Sequence, residues 1–423
     1  MKKPPILFNL FPRHFASIED WEGALPHIGG MEFNYVFVNP FHATGFSGSL
    51  YAVRDYYQLN PAFLSGNQQP HDFGILEAFI NQCESRGLSV IMDLVINHTA
   101  KDSPLVDEKP HWYQRTGSGK VKSPSAIDPA NADNVTVWGD LAELDYTRAK
   151  DELTSFFDEV VGFYQNLGIK GFRCDAAYQV PADAWKVLIG SAKQRDADAF
   201  FLAETLGCRL EEIESLYGCG FDYLFNSSKY WNYDEPWCLQ QHEENQAIAP
   251  SISFPESHDT ERLAAWPPKS EEMQKSRYVM AALFSEGLMM PMGYEFGATK
   301  RIDVVSGTPD DLEKPHWDLV KWIKSINQMK KEHSLLHEEG HWRALSDYSS
   351  DILFLEKSSG VSDEKLVICV NKDWYAQRRV VRNDFPAECA DYASMIRPFA
   401  STSKKSLPDA FDLVPNEIAL FVG

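Results

Sequence analysis

The feature that most constrains this chain is a rhythm, in which a short, largely apolar run is followed by a segment with helical spacing, over and over. The runs are Ile6 to Leu10, Tyr35 to Val38, Ser89 to Leu94, Gly171 to Cys174, Phe200 to Ala203, Phe221 to Leu224, Ile252 to Phe254 and Leu288 to Met290. They are continuous rather than alternating, which is how strands read when helices cover both faces of a parallel sheet. Between them lie amphipathic stretches at 74–86, 150–167, 185–193, 210–217 and 276–284, and a first helix predicted to open on a Ser17 cap. Eight such units, ending near residue 335, predict a (β/α)8 TIM barrel in the α/β class.

Two segments break the rhythm. Residues 99–147 are rich in Pro, Gly, Asp and Asn and far exceed a βα turn of ~2–6 residues, so they predict a subdomain inserted after strand 3, over the barrel mouth. From about Trp342 the texture turns to short alternating runs (Ile352 to Leu355, Lys365 to Val370, Arg378 to Val381, Ile418 to Phe421) separated by polar turns. That predicts a C-terminal antiparallel β domain of sandwich type. The expected division is a catalytic barrel at 1–98 and 148–340, an insertion at 99–147, and a C-terminal β-sandwich at 341–423.

Composition narrows the partners. A net charge of -21 with no clustered Lys/Arg argues against nucleic acid or an anionic membrane and suits a neutral ligand such as a sugar. The seven cysteines are scattered, odd in number and never in C-x-x-C spacing, which predicts reduced thiols and a cytoplasmic location. Lys2 and Lys3 are followed by Pro4-Pro5 and by Asn9, Pro12 and Arg13, so no signal peptide is expected. The run Tyr278 to Met292 contains Glu286 and Pro291 and is too short to span a bilayer.

In a barrel of this kind functional side chains stand at the carboxyl ends of the strands. Those ends read Asp93-Leu94-Val95-Ile96-Asn97-His98, Arg173-Cys174-Asp175, Ala203-Glu204-Thr205 and Glu256-Ser257-His258-Asp259-Thr260. Alternation along a strand puts Arg173 and Asp175 on one face, where the guanidinium favours an ionised carboxylate. Carboxylates, histidines and an arginine gathered on one mouth work against stability, which marks the mouth as a reaction site.

In this order, D-x-x-x-N-H, G-F-R-x-D-A, a Glu after an apolar strand and S-H-D resemble the four motif regions of the α-amylase superfamily of retaining α-glycoside enzymes. The resemblance implies Asp175 as nucleophile, Glu204 as general acid/base and Asp259 as transition-state stabiliser. It also implies His98 and His258 as sugar-binding residues, Asp93 and Asn97 as groups that hold the loop and Arg173, and Tyr51 as the tyrosine that stacks on the reacting sugar. Such an enzyme needs two carboxyl groups about 5 to 5.5 Å apart, one ionised and one protonated. The implied activity is retaining cleavage of α-glucosidic bonds in short oligosaccharides. The alternatives are a maltosyl- or glucosyltransferase or a disaccharide phosphorylase with the same intermediate, and a catalytically silent binding domain.

Local residues refine that expectation. Tyr178-Gln179 stand where endo-acting amylases carry Lys-His, so the acceptor side offers an aromatic face in place of two cations. Phe8 to Arg13, Asn39 to His42, Phe46 to Tyr51 and Gly293 to Gly297 resemble the maltosyltransferase branch. No organic cofactor is implied. For calcium, Asn97 holds the family's ligand position while Gln179 replaces the histidine that completes the site, and both outcomes stay open. The segment Tyr230-Trp231-Asn232-Tyr233-Asp234-Glu235-Pro236-Trp237 is aromatic enough for a sugar platform or for loop packing. His337-Glu338-Glu339-Gly340-His341 spells a zinc motif, but Gly340 weakens the helix it needs. Gly117-Ser118-Gly119-Lys120 lacks the flanking residues of a phosphate loop.

Overall fold

The computed structural model describes residues 3–128, 131–231 and 233–422; Lys2 and Asn232 of the aromatic segment lie outside the described residues. Eight parallel strands close into a barrel in chain order: β1 (Ile6–Leu10), β2 (Tyr35–Val38), β3 (Ser89–Leu94), β4 (Gly171–Cys174), β5 (Phe200–Glu204), β6 (Tyr223–Phe225), β7 (Ser251–Ser253) and β8 (Gly287–Pro291). The seam is sealed by β8 against β1, with Ile6 opposite Leu288. Inside, Leu7, Phe37, Ile91, Phe200, Leu202, Phe225, Ile252 and Met289 form a packed plug beneath the mouth. Gly171 opens β4 because a Cβ there would lie 2.6 Å from the Phe200 ring. Side chains two and four positions on, Arg173 and Asp175, then reach the mouth.

The helices fall where the spacing places them, with shifted ends: Gly74–Glu84, Tyr146–Asn166, Ala182–Arg195, Leu210–Glu214 and Glu271–Phe284. The long second of these begins early because the Asp145 carboxylate caps it, accepting from the amides of Thr147 and Arg148. Ser17 does not cap its helix; its hydroxyl goes to the Asp20 carboxylate.

Residues after β3 leave the barrel as a strand, His98–Ala100, paired antiparallel with Leu141–Glu143, and a hairpin of Ser125–Asp128 and Asn131–Val137 stands beyond. At the other end, β9 (His341–Ala344), β10 (Ile352–Ser358), β11 (Lys365–Asn371), β12 (Ser394–Arg397), β13 (Ser401–Ser406) and β14 (Ile418–Val422) form an antiparallel sheet in the order β9-β10-β11-β14-β12-β13. Alternation gives it two apolar faces. Val367, Cys369, Ala419 and Phe421 face the two-stranded layer Arg378–Val381 and Ala410–Leu413, while Leu366, Ile368, Val370, Ile418 and Leu420 join the core that surrounds the barrel. All seven cysteines are free thiols, and among the described residues no helix is long and apolar enough to cross a membrane.

Candidate active site

The mouth is organised by one guanidinium. Arg173 and Asp93 are register partners across β4 and β3, so their side chains rise together from neighbouring strands. Arg173 Nη1 donates to Asp93 Oδ1 at 2.9 Å and to Asp175 Oδ1 at 2.7 Å, and Nη2 lies 4.0 Å from Glu204 Oε2 and 3.9 Å from Asp259 Oδ2. Four carboxylates, three from strand ends and Asp259 from the loop after β7, therefore share one buried cation. Burial pushes the Asp93 carboxyl up, and Arg173 with the Tyr51 hydroxyl holds it back.

Ala176, directly after Asp175, adopts a left-handed conformation (φ 39°, ψ 51°), a strained choice for a residue with a Cβ. The turn aims its amide at Glu204, whose Oε2 accepts from it at 3.0 Å while Oε1 accepts from the amide of Leu206 at 2.9 Å. Burial is the largest influence on Glu204, and although Arg173 opposes it, Asp175 and Asp259 add to it, pushing this carboxyl up to about 7. Asp259 is the contrary case. Crowding at the mouth opposes its ionisation, yet His258, Arg173 and Arg301 outweigh that and hold the half-exposed carboxylate down at about 2. One acid is thus kept protonated near neutrality beside others that ionise.

Tyr51 ties the second strand's loop to this cluster. Its hydroxyl donates to Asp93 Oδ2 at 2.6 Å, and so accepts from His258 Nε2 at 2.6 Å and from Asn39 Nδ2 at 3.1 Å. Its ring lies parallel to the His258 ring, 5.5 Å between centroids, which fixes the imidazole as a wall of the site. His98 Nε2 meets the carbonyl of Tyr51 at 3.0 Å. Phe37, Phe225, Phe254 and Met289 form the apolar floor below Arg173 and Glu204.

Asn97 and Tyr178 stand to one side. Asn97 Nδ2 donates to Gln179 Oε1 at 2.9 Å, while its Oδ1 is buried without a partner. With Tyr178, Lys122 and Arg209 they line a cavity of about 350 Å³ between the insertion and the loops after β4 and β5. Both cations there are matched, Lys122 by Glu143 and Arg209 by Glu212. Among the described residues no group of three or more His, Cys, Asp or Glu is arranged to hold a metal ion.

The structure thus brings Asp93, Arg173, Asp175, Glu204, His258, Asp259, Tyr51 and His98 into one cluster and sets Asn97 and Tyr178 beside it. The aromatic segment divides: Tyr230 is exposed, while Trp231 and Tyr233 are buried packing. Motif reading missed Arg301 and gave Asn39, which donates to the Tyr51 hydroxyl, no place in the site. Arg301, from the loop after β8, donates to the backbone carbonyl of Asp259 at 2.8 Å across a separation that no local pattern signals. The zinc-like spelling is structural, since Glu339 accepts from the amides of Ser251 and Glu286.

Residues 6–129 match the family model described as glycogen debranching enzyme, glucanotransferase domain. Two curated relatives are named alpha-1,4-glucan:maltose-1-phosphate maltosyltransferase. The chain is 23% identical to that of Burkholderia pseudomallei over 384 residues (87% of this chain, 33% of the relative) and 24% identical to that of Myxococcus xanthus over 416 residues (88% and 60%). The chain therefore spans between a third and three fifths of their length. Among solved structures, an alpha-amylase from Lactobacillus plantarum superposes with a TM-score of 0.76 at 17% identity, covering 99% of this chain and 98% of that one. A maltogenic alpha-amylase from Thermotoga neapolitana gives 0.74 at 18%, with the same coverage. Closed barrel, terminal β sheet and these superpositions agree that the chain has the fold of those two amylases, a (β/α)8 barrel carrying a terminal β sheet.

Proposed function

We propose that this protein is a retaining transglycosylase that moves a glucosyl or maltosyl unit from a short α-glucan to a sugar or phosphate acceptor through a covalent intermediate on Asp175. The observation that carries the reading is the division of labour on Arg173: Asp175 is bonded to the guanidinium at 2.7 Å, while Glu204, near the same cation, is pushed up to about 7. In the first half-reaction Asp175 attacks the anomeric carbon through Oδ2, since Oδ1 is held by Arg173. The bond to the leaving oxygen breaks, and Glu204 gives that oxygen its proton. In the second, Glu204 takes a proton from the acceptor hydroxyl as its oxygen displaces Asp175. Asp259 and the histidines His98 and His258 take the ring hydroxyls as positive charge develops, Tyr51 lies against the sugar, and Asp93 and Asn97 hold Arg173 and the loop in place.

Two observations favour transfer over hydrolysis: the maltosyltransferase names of the relatives and the walled cavity beside Tyr178, which gives an acceptor a place to sit. Hydrolysis of short oligosaccharides is the second reading, because the same intermediate can be opened by water. Residues 99–147 act as the inserted subdomain that shapes the acceptor side, and 341–423 as the terminal domain. The test is a time course on maltotetraose, with and without glucose or phosphate, resolving products by chain length. Products longer than the substrate, or a phosphorylated sugar, support transfer; products that are only shorter, at rates insensitive to acceptor, support hydrolysis.

A further inference from the structure

We propose that Lys229 is a positioning residue that holds Asp259 against the reacting sugar, acting through the backbone of the loop 256–262. The inference rests on the role given to Asp259 above. Asp259 is half-exposed and stands beyond the end of β7, on a loop, where geometry is less secure than on a strand. Buried cations grip that loop from within the fold. Arg262 turns inward to Glu256 Oε1 at 2.8 Å and to the carbonyls of Met292 and Lys300, and Glu256 also accepts from the amide of Leu263. Lys229, from the short turn after β6, donates its amine to the carbonyl of Glu261 at 3.0 Å and lies 4.3 Å from the centre of the Trp266 ring.

Lys229 is only 1% exposed, and none of the motif regions accounts for it. Burial lowers its amine to about 8; Glu256 and Glu261 act to keep it charged, and Arg277 and Arg262 act against that. A desolvated lysine is a poor choice for stability alone, since an apolar side chain fills the same space without the desolvation cost. What an ammonium supplies there is a directed bond to one carbonyl two residues beyond Asp259. The adjacent Tyr230 faces outward, so this turn presents its two neighbours to opposite sides.

The experiment compares Lys229→Met, Asp259→Asn and the double variant on α-glucosyl fluoride and maltotetraose, with the folded fraction of each taken from its melting curve. Lys229→Met should lower kcat per folded molecule ~10- to 100-fold with KM within about 3-fold, on the scale of a displaced reacting group. Both substrates should suffer equally, because Asp259 serves the sugar ring and not the leaving group, and Lys229→Arg should recover part of the loss. In the Asp259→Asn background, adding Lys229→Met should cost less than about 3-fold, since the group it positions is gone. A fully multiplicative loss there, or an unchanged kcat in Lys229→Met, would overturn the inference while leaving the catalytic reading intact. Undiminished turnover in Asp259→Asn alone would instead overturn the catalytic reading, and the inference with it. If Lys229→Met does not fold, Trp266→Leu removes the ring beside the amine and should show the same pattern, with the same outcomes deciding.

Discussion

A single guanidinium sets the chemistry at the scale of the residue, because Arg173 can offer only so many donors and four carboxylates compete for them. Asp93 and Asp175 win close contact, while Glu204 is left to burial and to its acidic neighbours, which push it up to about 7. The acid must be protonated to release a sugar oxygen, so kcat/KM on maltotetraose should fall as pH rises through about 7. α-Glucosyl fluoride needs no such proton and should lack that limb. Glu204→Gln should slow maltotetraose by ~10²- to 10⁴-fold and spare the fluoride's first step; equal losses on both would mean that another group is the acid. Asp175→Asn should remove more than ~10⁴-fold of turnover with the melting temperature nearly unchanged, and more than a few per cent activity in a preparation free of deamidation would refute the nucleophile. That Asp93, Arg173, Asp175 and Glu204 meet was legible because strand alternation and strand ends dictate which side chains converge. Lys229, Arg301 and Asn39 were not, since each reaches the site through a backbone carbonyl or a hydroxyl on a distant loop.

The barrel strands could be read at the scale of the element because both faces of each must be apolar, and that pattern survives without knowledge of the neighbours. Boundaries were harder. Phe221 and Asp222 belong to the approach to β6, where Asp222 Oδ2 accepts from the amide of Phe201, a partner invisible in the local pattern. The pairing of His98–Ala100 with Leu141–Glu143 was hidden for the same reason, its two halves lying far apart in the chain. The tie between the helix Leu25–Gly30 and the loop after β8 is a further case: His27 Nε2 meets Glu295 at 2.9 Å and its ring stacks on Phe296 at 5.5 Å. The hydrogen bond to Glu295 raises the His27 imidazole against the opposing effect of burial. Its contribution is therefore fully present below the unfolded value of about 6.5 and is lost as pH rises through the raised folded value. His27 is partly exposed, so the effect is modest. His27→Gln should cost ~0.5–1 kcal/mol in urea unfolding at pH 5.5 and clearly less at pH 9; a cost that grows with pH would exclude this tie.

The whole molecule is held together by a junction that no motif describes. At the end of the helix Glu271–Phe284 the last carbonyls accept from two buried lysines and from the Trp342 indole. Lys330 donates to the carbonyls of Ala282, Ser285 and Leu336, and Lys357, from β10, donates to those of Leu283 and Glu338. Cations at a helix C-terminus also complement its dipole. Glu339 completes the joint by accepting from the amides of Ser251 and Glu286 at the entries of β7 and β8. Barrel and terminal sheet thus share polar bonds as well as the apolar core formed by Leu366, Ile368 and Leu420 with Leu283 and Met329. Three outcomes follow from this coupling. Lys357→Met strands buried carbonyls and should destabilise the protein by ~3 kcal/mol, yet it lies far from Arg173 in the bonding network, so kcat per folded molecule should stay within about 2-fold of the unaltered enzyme. Denaturant unfolding followed by fluorescence and by circular dichroism should give one coincident transition, and a chain ending at residue 340 should fail to fold, because the faces of Leu283 and Met329 would lose their cover. Two separated transitions, or a truncated chain that melts cooperatively at the parent temperature, would show instead that the barrel stands without its terminal sheet.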